Sequence, residues 1–283
     1  MHLVYMDQRL RRLLSMSAVA LVCLVLVTAR VPAQQHDALQ AAAAALSVAT
    51  VTTVHLEGFG ATYSEGESQR QSQGPREMWP RVTLKKYEAD IDYAAPAMRV
   101  ALVRETGVVQ PRGGGLSVVG EQRVTQFVNG AHAWDQVVPA PPHAQLAALA
   151  GRTQQIWSTP HGFLKAARLN RAVTRAVPQG TEVAFTSGGG RFVGLINARN
   201  EVDRVQTWVD NPVLGDMLVE TLYRDYETNA AGVVFPMHIT QSQGGYVVLD
   251  VWVSSVAVNT PVVMSTPDAV KAAVDDLTRA ARK

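Results

Sequence analysis

The feature that most limits what this chain can fold into is a succession of short strand patterns separated by turn residues. The last pattern, over 246–258, is the clearest, because strand side chains point alternately to opposite faces. Its side chains separate by type: the aliphatic Val247, Leu249 and Val251 fall on one face, and the polar Asp250 and aromatic Trp252 fall on the other. A purely aliphatic face predicts a single curved antiparallel sheet with an apolar concave side, or a sandwich with one solvated face.

Similar strand patterns follow one another through most of the chain, and we count about ten of them. An Ala- and Leu-rich segment at 35–48 predicts a helix ahead of the first strand. Two mid-chain helices are predicted at 143–150, which Gly151 would end, and at 163–172, where Thr159-Pro160 supplies a cap and a first-turn proline. The predicted fold is mainly β with α: a curved antiparallel sheet or half-open β-barrel with an N-terminal helix and two mid-chain helices.

The N-terminal segment has the order of a secretory signal peptide. Arginines at positions 9, 11 and 12 precede an uncharged apolar stretch over 13–29, and Val31-Pro32-Ala33 supplies small residues for cleavage. We expect cleavage after Ala33. The alternative is a retained anchor helix, because 13–29 reaches the lower limit for spanning a bilayer, about 17 residues. Cleavage would leave no stable membrane anchor and would place the protein in the periplasm or outside the cell.

The predicted organisation is a signal peptide at 1–33, one β domain at 34–260, and a C-terminal helical tail or linker remnant at 261–283. The whole chain has a formal charge of +2, and removal of residues 1–33 changes this to −1. Such a near-neutral chain lacks the basic stripe of a nucleic-acid-binding protein. The single cysteine, Cys23, leaves with the signal peptide, which excludes a disulfide or a Cys-based zinc site in the remainder.

Motifs for catalysis or metal binding are absent from the sequence. The histidines beyond the N-terminal region show no metal-motif spacing: they are His55, His132, His143, His161 and His238. Ser117 lacks the second glycine of a nucleophile elbow. Asp90 and Asp92 share one strand face with Glu88, and we expect that face to be solvated rather than a paired-carboxylate site. The sequence therefore predicts no enzyme activity, no metal and no cofactor.

The C-terminal third resembles a known group of domains. Tyr223-Arg224-Asp225-Tyr226, followed by Gly232-Val233-Val234-Phe235-Pro236, is similar to a strand pair common in LolA-like domains, the periplasmic carriers of outer-membrane lipoproteins and their relatives. The stretches 210–219 and 241–249 look like a narrower group, in which the domain precedes a metallo-β-lactamase-fold hydrolase in one exported chain. The histidine-rich zinc motif of that hydrolase is not in this sequence, so the resemblance carries over the fold and no catalytic residue.

The resemblance implies a half-open barrel whose apolar concave side is covered by the mid-chain helices as a lid. A lipid, a lipid-modified segment or another apolar ligand would bind there. The aliphatic strand faces give the expected cavity lining: Met98, Val100, Leu102, Val205, Val209, Val247, Leu249 and Val251. The alternative is that the helices fill the barrel permanently and no ligand enters.

A second hypothesis places function on the opposite strand faces, which mix aromatic and polar residues. There the chain would be an accessory domain that packs on a hydrolase partner. The aromatic side chains expected to form this partner patch are Phe127, Trp208 and Trp252.

Overall fold

The computed structural model describes residues 31–63, 81–105, 120–211 and 215–280. Most of the predicted signal peptide lies outside the described residues, as do Cys23, Ser117 and the polar segment 64–77. Within the described ranges, no helix is both long enough and apolar enough to cross a membrane.

Thirteen antiparallel strands form one sheet across the described residues. They are β1 (Thr53–Tyr63), β2 (Arg81–Asp92), β3 (Ala97–Glu105), β4 (Glu121–Asn129), β5 (His132–Val137), β6 (His143–Ala144), β7 (Val173–Val177), β8 (Gly180–Ser187), β9 (Gly190–Ile196), β10 (Val202–Asn211), β11 (Gly215–Thr228), β12 (Val234–Gln243) and β13 (Tyr246–Val258). Four α-helices accompany them: α1 (Val31–Ala45), α2 (Leu149–Ser158), α3 (Pro160–Leu169) and α4 (Asp268–Ala280), with a 3-10 turn at Leu146–Ala148 ahead of α2.

The strands are ordered β6-β5-β4-β3-β2-β1-β13-β12-β11-β10-β9-β8-β7, and the sheet is curved and unclosed. The first strand thus pairs with the last, so the two halves of the chain meet in the middle of the sheet. This confirms the predicted mainly β fold with a curved antiparallel sheet, and it excludes the two-sheet sandwich. The sequence patterns did not identify β6 and β7, the short strands at the two edges of the sheet.

Thr159 and Pro160 begin the second mid-chain helix as its cap and first-turn proline, as the sequence predicts, and they also follow directly on the end of the first. Thr159 is extended and its side chain accepts a hydrogen bond from the backbone N–H of Gly162, at 3.3 Å. An extended residue before proline also ends the preceding helix. The predicted end at Gly151 is wrong, because α2 runs through Gly151, and residues 143–144 pair as strand β6 instead.

The core consists of two apolar clusters on the concave side of the sheet. One joins β1, β2, β3 and β13 with Ile156 of α2, and the other joins α1 and α3 with β8, β9 and β10. Trp157 and Ile239 pack against both clusters. Helices α2 and α3 therefore lie inside the curve of the sheet, whereas α4 packs at its edge against β5 and β6.

Candidate ligand-binding cavity

A cavity of about 370 Å³ lies between α2 and the concave side of the sheet. Eight of the thirteen strands contribute to its wall. Four of the residues expected from the sequence to line such a cavity do so: Val100, Leu102, Val209 and Leu249. They reach it from β3, β10 and β13, which the sheet order places on different sides of the cavity.

The other expected lining residues lie elsewhere. Met98 and Val251 are buried in the first core cluster, and Val205 is buried in the second. Val247 does not line the cavity, whereas its neighbour Val248 does. The strand alternation is interrupted here because Leu249 pairs with Gln241 and Val247 with Ser242. This register shift leaves Val248 without a partner, as in a β-bulge.

The cavity wall also contains polar residues that the strand patterns did not predict. Five of them are glutamines: Gln126, Gln154, Gln155, Gln241 and Gln243. The sequence does contain a signal for Gln126, because this residue lies two positions from Val124 and two from Val128, which are both buried. Alternation therefore places Gln126 on the same inward face as these valines.

Arg152 ties α2 to strands β4 and β5. Its Nη1 donates to the backbone carbonyls of Phe127 and Trp134 at 3.1 and 2.9 Å, and its Nη2 donates to Asp135 Oδ1 at 2.5 Å. Both partners of the ion pair are largely buried. This pair anchors the N-terminal half of α2, where no residue is itself buried.

Tyr223 of β11 holds the other end of α2. Its hydroxyl donates to the backbone carbonyl of Ser158 at 2.7 Å. Burial raises the pKa of Tyr223, so the hydroxyl remains protonated as a donor. Both ends of α2 are thus fixed to the sheet by hydrogen bonds.

A second cavity, of about 380 Å³, lies on another face of α2. Its wall is mostly apolar and includes Leu146, Leu149, Trp157 and Phe192. Gln154 lines both cavities. Helix α2 therefore separates two spaces, one with a polar and apolar wall and one that is mainly apolar.

The three aromatic residues of the expected partner patch are not brought together. Phe127 is on β4 and stacks on Trp134 with ring centroids 4.7 Å apart, and Trp208 is on β10 beneath the Arg191 guanidinium at 4.5 Å. Trp252 is on β13, with three strands between it and β4 and two between it and β10. The three side chains thus occupy separate parts of the sheet.

Trp252 has a different aromatic neighbour that the sequence analysis missed. It pairs in register with Phe59 of β1, and the two side chains are 45% and 54% exposed. The other neighbour in this row is His238 of β12, whose ring stacks on Trp252 at 3.9 Å. We call Phe59 and Trp252 the exposed aromatic pair.

A histidine and two carboxylates meet on the outer face of β1 and β2. The ligand-type atoms of His55, Glu88 and Asp90 lie within 4.8 Å of one another. Arg99 Nη1 donates to both carboxylates, at 2.6 Å to Glu88 Oε1 and 2.7 Å to Asp90 Oδ2. Arg99 and Lys86 hold the pKa of Glu88 down at about 2. Because cationic side chains already balance the carboxylates, the group is best described as an ion-pair cluster.

Comparison with known proteins adds little to this geometry. No family model matches the chain, and no curated protein matches it. Among solved structures, one similar chain is the crystal structure of LprF from Mycobacterium bovis, with 9% sequence identity. The match covers 82% of this chain and 97% of LprF, with a TM-score of 0.28. The architecture is therefore assigned from the strand pairings themselves.

Proposed function

We propose that this chain is an exported, non-catalytic binding module that holds a lipid or another apolar ligand on the concave side of its sheet. The observation that carries the proposal is the cavity of about 370 Å³ beside α2, which falls within the range of small-molecule sites. The signal-peptide pattern supports export, and the LolA-like resemblance of the C-terminal strands supports a carrier role.

The wall of the cavity provides an energetic reason for such a ligand. Val100, Leu102, Val209 and Leu249 present aliphatic surface to the space. Transfer of an acyl chain from water to such a surface gains about 0.8 kcal/mol for each buried CH₂ group. A short buried segment of chain is therefore sufficient for measurable binding.

The proposal is tested by extracting lipid from the purified chain and by following displacement of the neutral fluorophore N-phenylnaphthylamine. We expect acyl chains to co-purify with the wild type and to be lost from Val209→Trp, which would fill the cavity. Val173→Trp is the matched control, because Val173 is an exposed valine on the edge strand β7. Thermal unfolding of both variants checks that they fold. A wild-type chain that carries no acyl group and binds no fluorophore would show the proposal to be wrong.

The exposed aromatic pair favours a second candidate function, that of an accessory domain that packs on a metallo-β-lactamase-fold hydrolase. Phe59 and Trp252 place two large apolar side chains next to each other on the outer face. A single exposed apolar residue is normal on a protein surface, but an adjacent pair is typical of an interaction site. The test is capture of such a hydrolase from the same genome by the immobilised chain. Phe59→Ala with Trp252→Ala should abolish capture, whereas Val173→Ala should not. Equal capture by all three chains would exclude this surface.

A further inference from the structure

The polar side chains of the candidate cavity have unused hydrogen-bonding capacity. Among the described residues, the side-chain amides of Gln126, Gln155 and Gln243 have no hydrogen-bond partner, although each lines the cavity. Thr62 also lines it; this residue is only 9% exposed, and its buried Oγ1 has no partner. The wall thus offers both donors and acceptors to whatever occupies the space.

These groups oppose a purely aliphatic ligand. An amide that loses its water to a hydrocarbon chain and gains no partner costs about 1–3 kcal/mol. Three such amides would offset much of the gain from burial of the chain. A ligand with carbonyl, ester or hydroxyl groups at this level of the cavity would instead satisfy them.

The wall offers no free charge to a charged head group. Among the described lining residues, Arg152 has the only side chain that is charged at neutral pH, and its guanidinium already donates to Asp135 and to two backbone carbonyls. Arg104 lies further along β3 and is not part of the wall; its Nη2 donates to Gln122 Oε1. Burial of a carboxylate or ammonium without a partner is costly.

We propose that the ligand of this cavity is an uncharged amphiphile, with an aliphatic chain and a head or linkage built from ester, amide or hydroxyl groups. The aliphatic wall binds the chain, and the amides of Gln126, Gln155 and Gln243 bind the polar linkage. This inference rests on the proposed function and specifies the class of ligand.

The test compares three probes of equal chain length as competitors of N-phenylnaphthylamine: monolauroylglycerol, laurate and dodecyltrimethylammonium. We expect monolauroylglycerol to bind at least about tenfold more tightly than either charged probe, because burying an unpaired ion costs several kcal/mol. If laurate or the ammonium binds as tightly, the inference is overturned while the proposed function stands. If no probe binds and no acyl chain co-purifies, the proposed function itself fails.

Variants then identify the groups involved. Gln126→Leu and Gln155→Leu should each weaken monolauroylglycerol binding about twofold to tenfold, the value of one net hydrogen bond, without weakening fluorophore binding. Gln136→Leu on β5 is the control, because alternation from buried Ala133 places Gln136 on the opposite face. Tighter monolauroylglycerol binding by the cavity variants would contradict the inference. A preference for laurate that Arg104→Gln removes would show that the site recognises an anion instead.

The Thr62→Val variant separates binding from folding. Because its buried hydroxyl has no partner, valine should leave the stability of the free chain unchanged or raise it, while monolauroylglycerol binding weakens. A variant that binds monolauroylglycerol as tightly as the wild type would remove Thr62 from the ligand site.

Discussion

The buried ring of His161 should make the fold lose stability as the pH falls below about 7.5, because the unfolded chain then binds a proton that the folded chain does not. The ring has no solvent exposure, and it lies between the backbone of Leu46 and the ring of Phe235. Its Nε2 is 2.9 Å from the Leu46 carbonyl oxygen, which only accepts, so Nε2 carries the proton and donates. The other nitrogen, Nδ1, is buried without a partner. A second proton would therefore place an unpaired charge among apolar side chains.

Burial lowers the pKa of His161 from 6.5 to about 4, although the Leu46 hydrogen bond raises it in part. Between these values the unfolded chain binds a proton that the folded chain does not, so stability falls as the pH falls. From about pH 7.5 to about pH 5 the loss from this group is about 2 kcal/mol. It is complete once the pH is below about 4, where both states are protonated.

The measurement is urea denaturation of the wild type and of His161→Gln over this pH range. Glutamine can keep the donor near the Leu46 carbonyl and does not titrate. The variant has a lower free energy of unfolding at neutral pH. The decrease in its free energy of unfolding between about pH 7.5 and about pH 5 should, however, be about 2 kcal/mol smaller than that of the wild type. The other histidines are unchanged, so their contributions cancel in the difference. Equal losses in the two proteins would refute the idea that the fold keeps this ring neutral.

Two further substitutions test the packing and the outer face. Gly194→Ala would place a Cβ inside the van der Waals radius of the Phe163 ring, and we expect it to lower the free energy of unfolding by about 1–3 kcal/mol, measured by urea denaturation. In the double variant with Phe163→Leu, the loss of stability should be smaller than the sum of the losses of the two single variants. Additive losses would show that the Phe163 ring is not what the new Cβ meets. Glu88→Gln breaks the ion pair with Arg99 and should cost about 1 kcal/mol at neutral pH. Because the pKa of Glu88 is lowered to about 2, the stability advantage of the wild type over the variant should fade as the pH drops from about 4.5 and vanish below about pH 2. A stability difference that stays constant over this pH range would argue against the ion pair.

The regular elements could be predicted from the sequence because their signals are local. Alternation of aliphatic side chains with polar or aromatic ones identified the long strands, and Thr159-Pro160 identified the start of α3. The edge strands β6 and β7 could not be found in this way. Strand β6 has two residues and contacts only β5 within the sheet, so its conformation is fixed by pairing rather than by its own pattern.

The cavity could be predicted only in part, for two physical reasons. The register shift at Gln241 and Ser242 depends on how β12 and β13 pair, and strict alternation places Val247 rather than Val248 on the inner face. Whether an inward aliphatic residue lines open space or the packed core also depends on the helices. Met98 is covered within the core, whereas Val100, two residues away on the same face, borders the cavity.

The glutamines of the wall show a more general limit of pattern analysis. A polar residue in a strand is normally assigned to the solvated face, and an inward polar residue then counts as noise in the alternation. Gln126 violates that rule between two buried valines. Such a residue is unfavourable in a filled apolar core, because its amide would be buried without hydrogen-bond partners. Its position on the inner face therefore indicates that the helices do not fill the sheet completely, and that the remaining space is suited to water or to a ligand with hydrogen-bonding groups.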